Sequence, residues 1–368
     1  SGFLAAHGWS LPGFLTAGPF DKISNLDGSM SNTTGGFNLI ACLISLLVTW
    51  LLVIGTSKSA KVTAVLVMVK IVALTAFVAL AFPAAKEVNF HPFLPTGMKG
   101  VYGAAASIFF AYVGFDAVST ASEETINPNR NIPIGLIGSL VVCTIFYLLV
   151  AYAAVGAVGA QPGGALSQSK EPLAYILRNI GHGTIGDMVG WAAILALPSV
   201  VLMMIFGQTR ILFTMARDGL MPKFFAAVHP KYHTPYKVTI VTGVFVSLFA
   251  GMFPVGILAD VSNSGTLFAF FAVALGVLIL RSRDPGRKRP FRTPLIWIVG
   301  PGAMAGSAFL FYSLDAVTLW LFLGWAIIGL IVYFIYARSR SALAPGNEEL
   351  PGKLEAAPAF HEGPDPGP

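Results

Sequence analysis

Charge is what this sequence lacks most. Of 368 residues only 11% are Asp, Glu, Lys or Arg, under half of the roughly 25% that a water-facing domain carries. With 55% hydrophobic residues and a mean hydropathy of +0.74, the deficit excludes an ordinary soluble domain and leaves an all-α polytopic membrane protein. Cysteine is also scarce. Cys42 and Cys143 both fall inside apolar runs, which rules out reading them as a disulfide framework. The six histidines (His7, His91, His182, His229, His233 and His361) lie in loops or the tail and form no cluster. No metal-ligand spacing, phosphate-cradling glycine loop or nucleophilic triad appears, so neither a metal, a cofactor nor enzyme chemistry is expected. The net charge of +6 does not indicate a nucleic-acid partner, because the basic residues are distributed between apolar runs.

Those runs are what the sequence has instead. They recur at 38–54, 62–82, 101–121, 134–158, 185–207, 238–254, 257–280, 294–313 and 317–337, most of them able to cross a ~30 Å hydrocarbon core at 1.5 Å per residue. About nine spans follow, an odd number, so the two ends lie on opposite sides. One set of connections and the tail carry 17 basic residues, from Lys58 and Lys61 through Arg210, Arg217 and the Arg281–Arg292 cluster to Lys353; the alternate connections carry 5. That asymmetry puts the C-terminus in the cytoplasm and residue 1 outside. The Arg281–Arg292 cluster reads as a topological anchor, with binding to anionic lipid headgroups as an addition.

The organisation expected is an extracytoplasmic loop over 1–36, a transmembrane domain over 37–337, and a disordered cytoplasmic tail over 338–368. Between the fourth and fifth spans, Pro172-Leu173-Ala174-Tyr175-Ile176-Leu177 reads as a short interfacial helix, part of an outer lid. An outside N-terminus with no signal and no initiating Met points to further spans upstream.

Two places inside the spans are chemically expensive. In Phe109-Phe110-Ala111-Tyr112-Val113-Gly114-Phe115-Asp116, Gly114 loosens a helix by about 1 kcal/mol relative to Ala, and Asp116 costs about 2.5–3.5 kcal/mol near a bilayer centre. Together they predict a helix break at Gly114 that lines a cavity. Asp116 has two readings, a cap for the second half-helix or an attraction for a cationic substrate group. Phe109, Phe110 and Phe115 face lipid or shutter the cavity. Glu123 and Glu124 read as interfacial or as a gating pair. The second place is Lys70, between Val69 and Ile71. Its ammonium either snorkels to the cytoplasmic interface or faces the bundle interior, where it serves protonation-dependent switching and occupies a place that sodium holds elsewhere.

These residues resemble a known family. Phe109 to Thr120, continuing through Glu123-Glu124-Thr125-Ile126-Asn127-Pro128 and Ile132-Pro133-Ile134-Gly135, is similar to the cationic amino acid transporter branch of the amino acid–polyamine–organocation superfamily. Gly207-Gln208-Thr209-Arg210, Ala216-Arg217-Asp218-Gly219-Leu220-Met221-Pro222, Thr234-Pro235-Tyr236, Gly265-Thr266-Leu267-Phe268-Ala269 and Arg289-Pro290-Phe291-Arg292-Thr293-Pro294 match it too, and the resemblance covers about 37–337.

It implies a leucine-transporter-like inverted-repeat fold, truncated, in which the nine spans correspond to the fourth through twelfth of twelve. It also implies a permease of the plasma (inner) membrane that carries amino acids by alternating access with a proton as coupling ion. Carbonyls at Phe110, Ala111 and Val113 would hold the substrate ammonium, Phe110 would act as a gate, and Lys70 would replace sodium. Met203 and Met204 would border the side-chain pocket. The family's first broken helix, which binds the substrate carboxylate, and the next two spans have no counterpart, so a part of a longer permease is expected. The alternatives are a facilitative exchanger and a non-transporting sensor or partner-binding subunit.

Overall fold

The computed structural model describes residues 13–20, 23–24, 30–31, 36–116, 119, 125–164, 166, 169, 171–232, 234–286, 289 and 291–341. Glu123, Glu124, His233 and the tail from residue 342 lie outside these. Among the described residues, ten α-helices of eight residues or more form the body: α1 (Leu39–Ile54), α2 (Thr56–Ala81), α3 (Gly97–Ile108), α4 (Pro128–Val158), α5 (Pro172–Asn179), α6 (Gly183–Arg217), α7 (Tyr236–Met252), α8 (Val255–Arg283), α9 (Ile296–Tyr312) and α10 (Ala316–Val332). Strand among the described residues is confined to an antiparallel pair, Ile23–Ser24 with Met30–Ser31, ahead of the helices.

Five stretches are long and apolar enough to span a bilayer, in α2, α4, α6, α8 and α10 with its continuation to Arg340; α1, α7 and α9 are shorter apolar helices. With the interrupted α3 they make up the nine apolar segments expected. Most are apolar around their whole circumference, which suits a helix surrounded by lipid. The short α5 is different: it buries Ala174, Ile176 and Leu177 and keeps Arg178 in its last turn.

Several boundaries move. α2 and α4 begin ahead of their apolar runs, at Thr56 and Pro128, and two helices run on at their C-terminal ends. α6 continues ten residues past the expected end at 207, through Ile211, Leu212, Met215 and Ala216 to Arg217, whose charge complements the negative end of the helix dipole. The last helix passes through a π turn at Tyr333–Ala337 and ends at Arg340, so the boundary placed at 338 falls inside it.

α6 is the axis of the larger group. In its most apolar stretch 33% is buried, against 0% for α4, and it packs on α1, α2, α5 and α7. The α1–α7 contact is a seam of small residues. Thr239, Gly243, Ser247 and Gly251, spaced four apart on α7, are all buried, and they meet a face of α1 that buries Ser45, Val48, Thr49 and Leu52. Four-residue spacing aligns them on one side of the helix. Small side chains let two backbones approach where lipid supplies no hydrophobic drive for association. A Cβ added at Gly243 would collide with the Thr49 side chain.

A second cluster joins α2, α4, α5 and α6 through Phe77, Ala81, Ala153, Ile176, Leu177 and Val189. There Arg178 pairs with Glu171 and, at 3.0 Å, with Asp187, which fixes α5 to the start of α6. The smaller group is α8 packed on α9 and α10, with α3 against α8 and α9. Ala106, Leu267 and Leu314 form its core.

Candidate functional site

α3 leaves α-helical geometry at Phe109, five residues before Gly114. Phe109–Tyr112 form a 3-10 turn, Val113 is extended (φ −58°, ψ 130°), and Gly114 adopts φ +116°. The break is therefore a segment that ends at Gly114, not a single point at that glycine. Only glycine takes such a φ without strain. The site also lacks room for a side chain, since a Cβ on Gly114 would meet Met204 Cε from α6. The sequence placed Met204 near the pocket, and here it lies beside the break.

Neighbours from three elements grip this turn. The rings of Phe109 and Phe115 both lie on Phe270 of α8, with centroids 6.1 and 5.4 Å away. α4 contributes Thr144 and Tyr147, three apart and so on one face. Thr144 Oγ1 donates to Leu140 O (2.8 Å), which makes the Tyr112 hydroxyl the donor in its 3.1 Å bond to Thr144. Tyr147 donates its hydroxyl to the Ala111 carbonyl at 2.7 Å, and its ring stands edge-on to Tyr112 at 5.1 Å. Within the turn, Val113 N donates to Phe110 O at 3.2 Å. Asp116 Oδ1 accepts from Gly114 N at 3.1 Å, and Asp116 O accepts from Ser119 N at 2.9 Å. Phe110 is 42% exposed.

Asn263, on α8, was not singled out from sequence. It is 0% exposed, and its Nδ2 donates to Ala106 O at 3.2 Å. Ala106 belongs to the last turn of α3, next to the point where the α-helical ladder gives way to the 3-10 turn. Asn263 supports it from another helix. Its own Oδ1 is buried with no partner among the described residues.

Lys70 does not reach along its own helix toward either end. Its Nζ donates to Ser199 Oγ on α6 at 3.0 Å, and Ser199, which is buried, donates in turn to Ala196 O at 2.7 Å. Ser199 follows Pro198, a proline inside α6; proline removes a helical N–H and loosens the turn it occupies. Among the described residues no carboxylate lies within ion-pair distance of Lys70. Ser199 was not visible as a partner in the sequence because 129 residues separate the two.

Membrane-length helices packed on one another, with α3 giving way to a carbonyl-bearing turn beside them and Lys70 bonded between α2 and α6, are the features of a polytopic membrane transporter. The chain belongs to the amino acid permease family, within the amino acid–polyamine–organocation superfamily: residues 3–335 match that family. It is 38% identical over 341 residues to the "Branched-chain amino acid permease BcaP" of Bacillus subtilis (strain 168), covering 93% of this chain and 71% of that protein. It is likewise 38% identical to the "Methylthioribose transporter" of the same organism, with 92% and 71% covered. The "Cationic amino acid transporter 1" of Arabidopsis thaliana is 36% identical over 231 residues, 63% of this chain and 38% of that protein. These relatives are permeases and transporters, not enzymes.

Proposed function

We propose that this permease carries a neutral amino acid with an apolar side chain across the plasma membrane by alternating access, coupled to a proton through Lys70, with its C-terminus in the cytoplasm. The observation that carries the reading is the turn at Phe109–Asp116, where the α-helical ladder is interrupted and carbonyls are presented outside it. A substrate ammonium binds at Phe110, Ala111 and Val113, and Phe110 closes over it. Asp116 holds the break together through Gly114 and is not assigned to a cationic side chain. The thioether of Met204 beside the turn suits an aliphatic substrate. The relative named a branched-chain amino acid permease agrees with that choice.

Lys70 couples because its ammonium rests on a single neutral hydroxyl rather than on a carboxylate. Protonation then adds or removes one tie between α2 and α6, the helix that also flanks the break. A shift between two bundle arrangements needs such differential contacts.

The protein expressed from its full natural reading frame and reconstituted in proteoliposomes should take up labelled leucine faster under an inward proton gradient. Arginine should compete poorly. Lys70→Ala should abolish the effect of the gradient. Leucine uptake indifferent to the gradient, and dependent on leucine inside the vesicle, would replace coupling with exchange; binding without flux would make the protein a sensor.

A further inference from the structure

The donor already on the Ala111 carbonyl is the most informative contact at the break. Tyr147 reaches it from α4 at 2.7 Å, a length typical of a well-formed O–H···O bond. An ammonium arriving at this carbonyl must either share the oxygen, which has two lone pairs, or displace the tyrosine hydroxyl. Phe110 O is engaged differently, by Val113 N inside the same turn, so an ammonium there shares the oxygen with that amide. Tyr147 can withdraw more easily. As a residue it is 36% exposed, and it reaches the turn from another helix rather than from within it. The ring edge against Tyr112 and the neighbouring Tyr112–Thr144 bond keep the turn in place when it does. Asn263 offers the contrast: fully buried beside Ala106, it has nowhere to go.

We infer that the Tyr147 hydroxyl is a placeholder for the substrate ammonium, satisfying the Ala111 carbonyl in the empty transporter and leaving when an amino acid binds. The inference rests on the reading that this carbonyl receives the ammonium. An unpaired carbonyl in a water-poor site is costly, so the empty site is stabilised by Tyr147. Substrate then binds against that bond, and affinity is lower than the site could reach. Tyr147 is a positioning residue that tunes affinity; it takes no part in moving the proton.

The test is Tyr147→Phe, which keeps the ring and its contact with Tyr112 and removes only the oxygen. It uses the natural full-length protein in proteoliposomes. The measured quantities are KM for labelled leucine and the inhibition constant of 4-methylpentanoate, a leucine analogue without the ammonium. Loss of one net hydrogen bond corresponds to about fivefold in an equilibrium constant. KM for leucine should fall about fivefold, with inhibition by 4-methylpentanoate unchanged. A leucine KM that is unchanged or raised overturns the placeholder and leaves the amino acid reading standing. An equal change for both ligands also overturns it, because the effect would not depend on the ammonium. If the natural protein neither binds nor carries leucine or any other neutral amino acid, the functional reading fails and this inference with it.

Discussion

At the scale of single residues, the break depends on two kinds of contact that respond differently to mutation. Gly114 combines φ +116° with the close approach of Met204. Gly114→Ala introduces backbone strain on the order of 1–3 kcal/mol and a collision, and should lower the melting temperature in detergent and depress uptake. Adding Met204→Ala should recover only the steric part, a partial rescue that a double-mutant cycle reads directly. Asn263→Leu removes the side-chain donor to Ala106 O in a fully buried place, at a cost of about 1–3 kcal/mol. It should be destabilised in thermal unfolding, whereas a melting curve unchanged from the natural protein would remove Asn263 from the support of α3. At Lys70 the tie to Ser199 is the only hydrogen bond recorded among the described residues. Ser199→Ala should therefore reduce the stimulation of uptake by a proton gradient while leaving uptake without a gradient nearly intact.

At the scale of elements, helices in lipid are held by fit more than by burial, and the α1–α7 seam shows where fit is tightest. Gly243→Val places methyl groups into Thr49 and should destabilise by about 1–3 kcal/mol, the usual cost of overpacking, read as a fall in melting temperature. Gly256, near the start of α8, has open space where a Cβ would go. Gly256→Ala should be neutral or stabilising by up to about 1 kcal/mol, so the pair separates collision from glycine content. The element boundaries were largely legible in advance: α1 and α7 end within two residues of their apolar runs. α6 was not, because Gln208-Thr209-Arg210 interrupt the apolar run while the residues after them keep helix formers and end on a favourable charge.

For the whole molecule, the basic connections predict an orientation that labelling can test. With Cys42 and Cys143 replaced by Ala, a membrane-impermeant thiol reagent applied from outside intact cells should label Val88→Cys, in the exposed connection after α2. It should spare Ser341→Cys, just past the last helix, until the membrane is opened. The reverse pattern would invert the topology. The connection carrying Arg281 through Arg292 would then face outward, against the charge bias.

The amino-acid sequence by itself determined that the chain is helical and membrane-embedded, where most of its spans begin and end, and that the third span is interrupted near Gly114. Hydropathy, helix length and the cost of Gly or Asp in a span are local quantities, set by neighbours along the chain. Only the tertiary structure decided that the interruption starts at Phe109, that Lys70 rests on Ser199, that Asn263 supports Ala106, and that Tyr147 sits on the Ala111 carbonyl. Lys70–Ser199, Asn263–Ala106 and Tyr147–Ala111 join residues 129, 157 and 36 apart. Polar groups at such separations find each other through the packing of side chains between helices, which no local periodicity records. Because lipid solvates every apolar face about equally well, the hydrophobic pattern that located the spans carries little information about which of them touch.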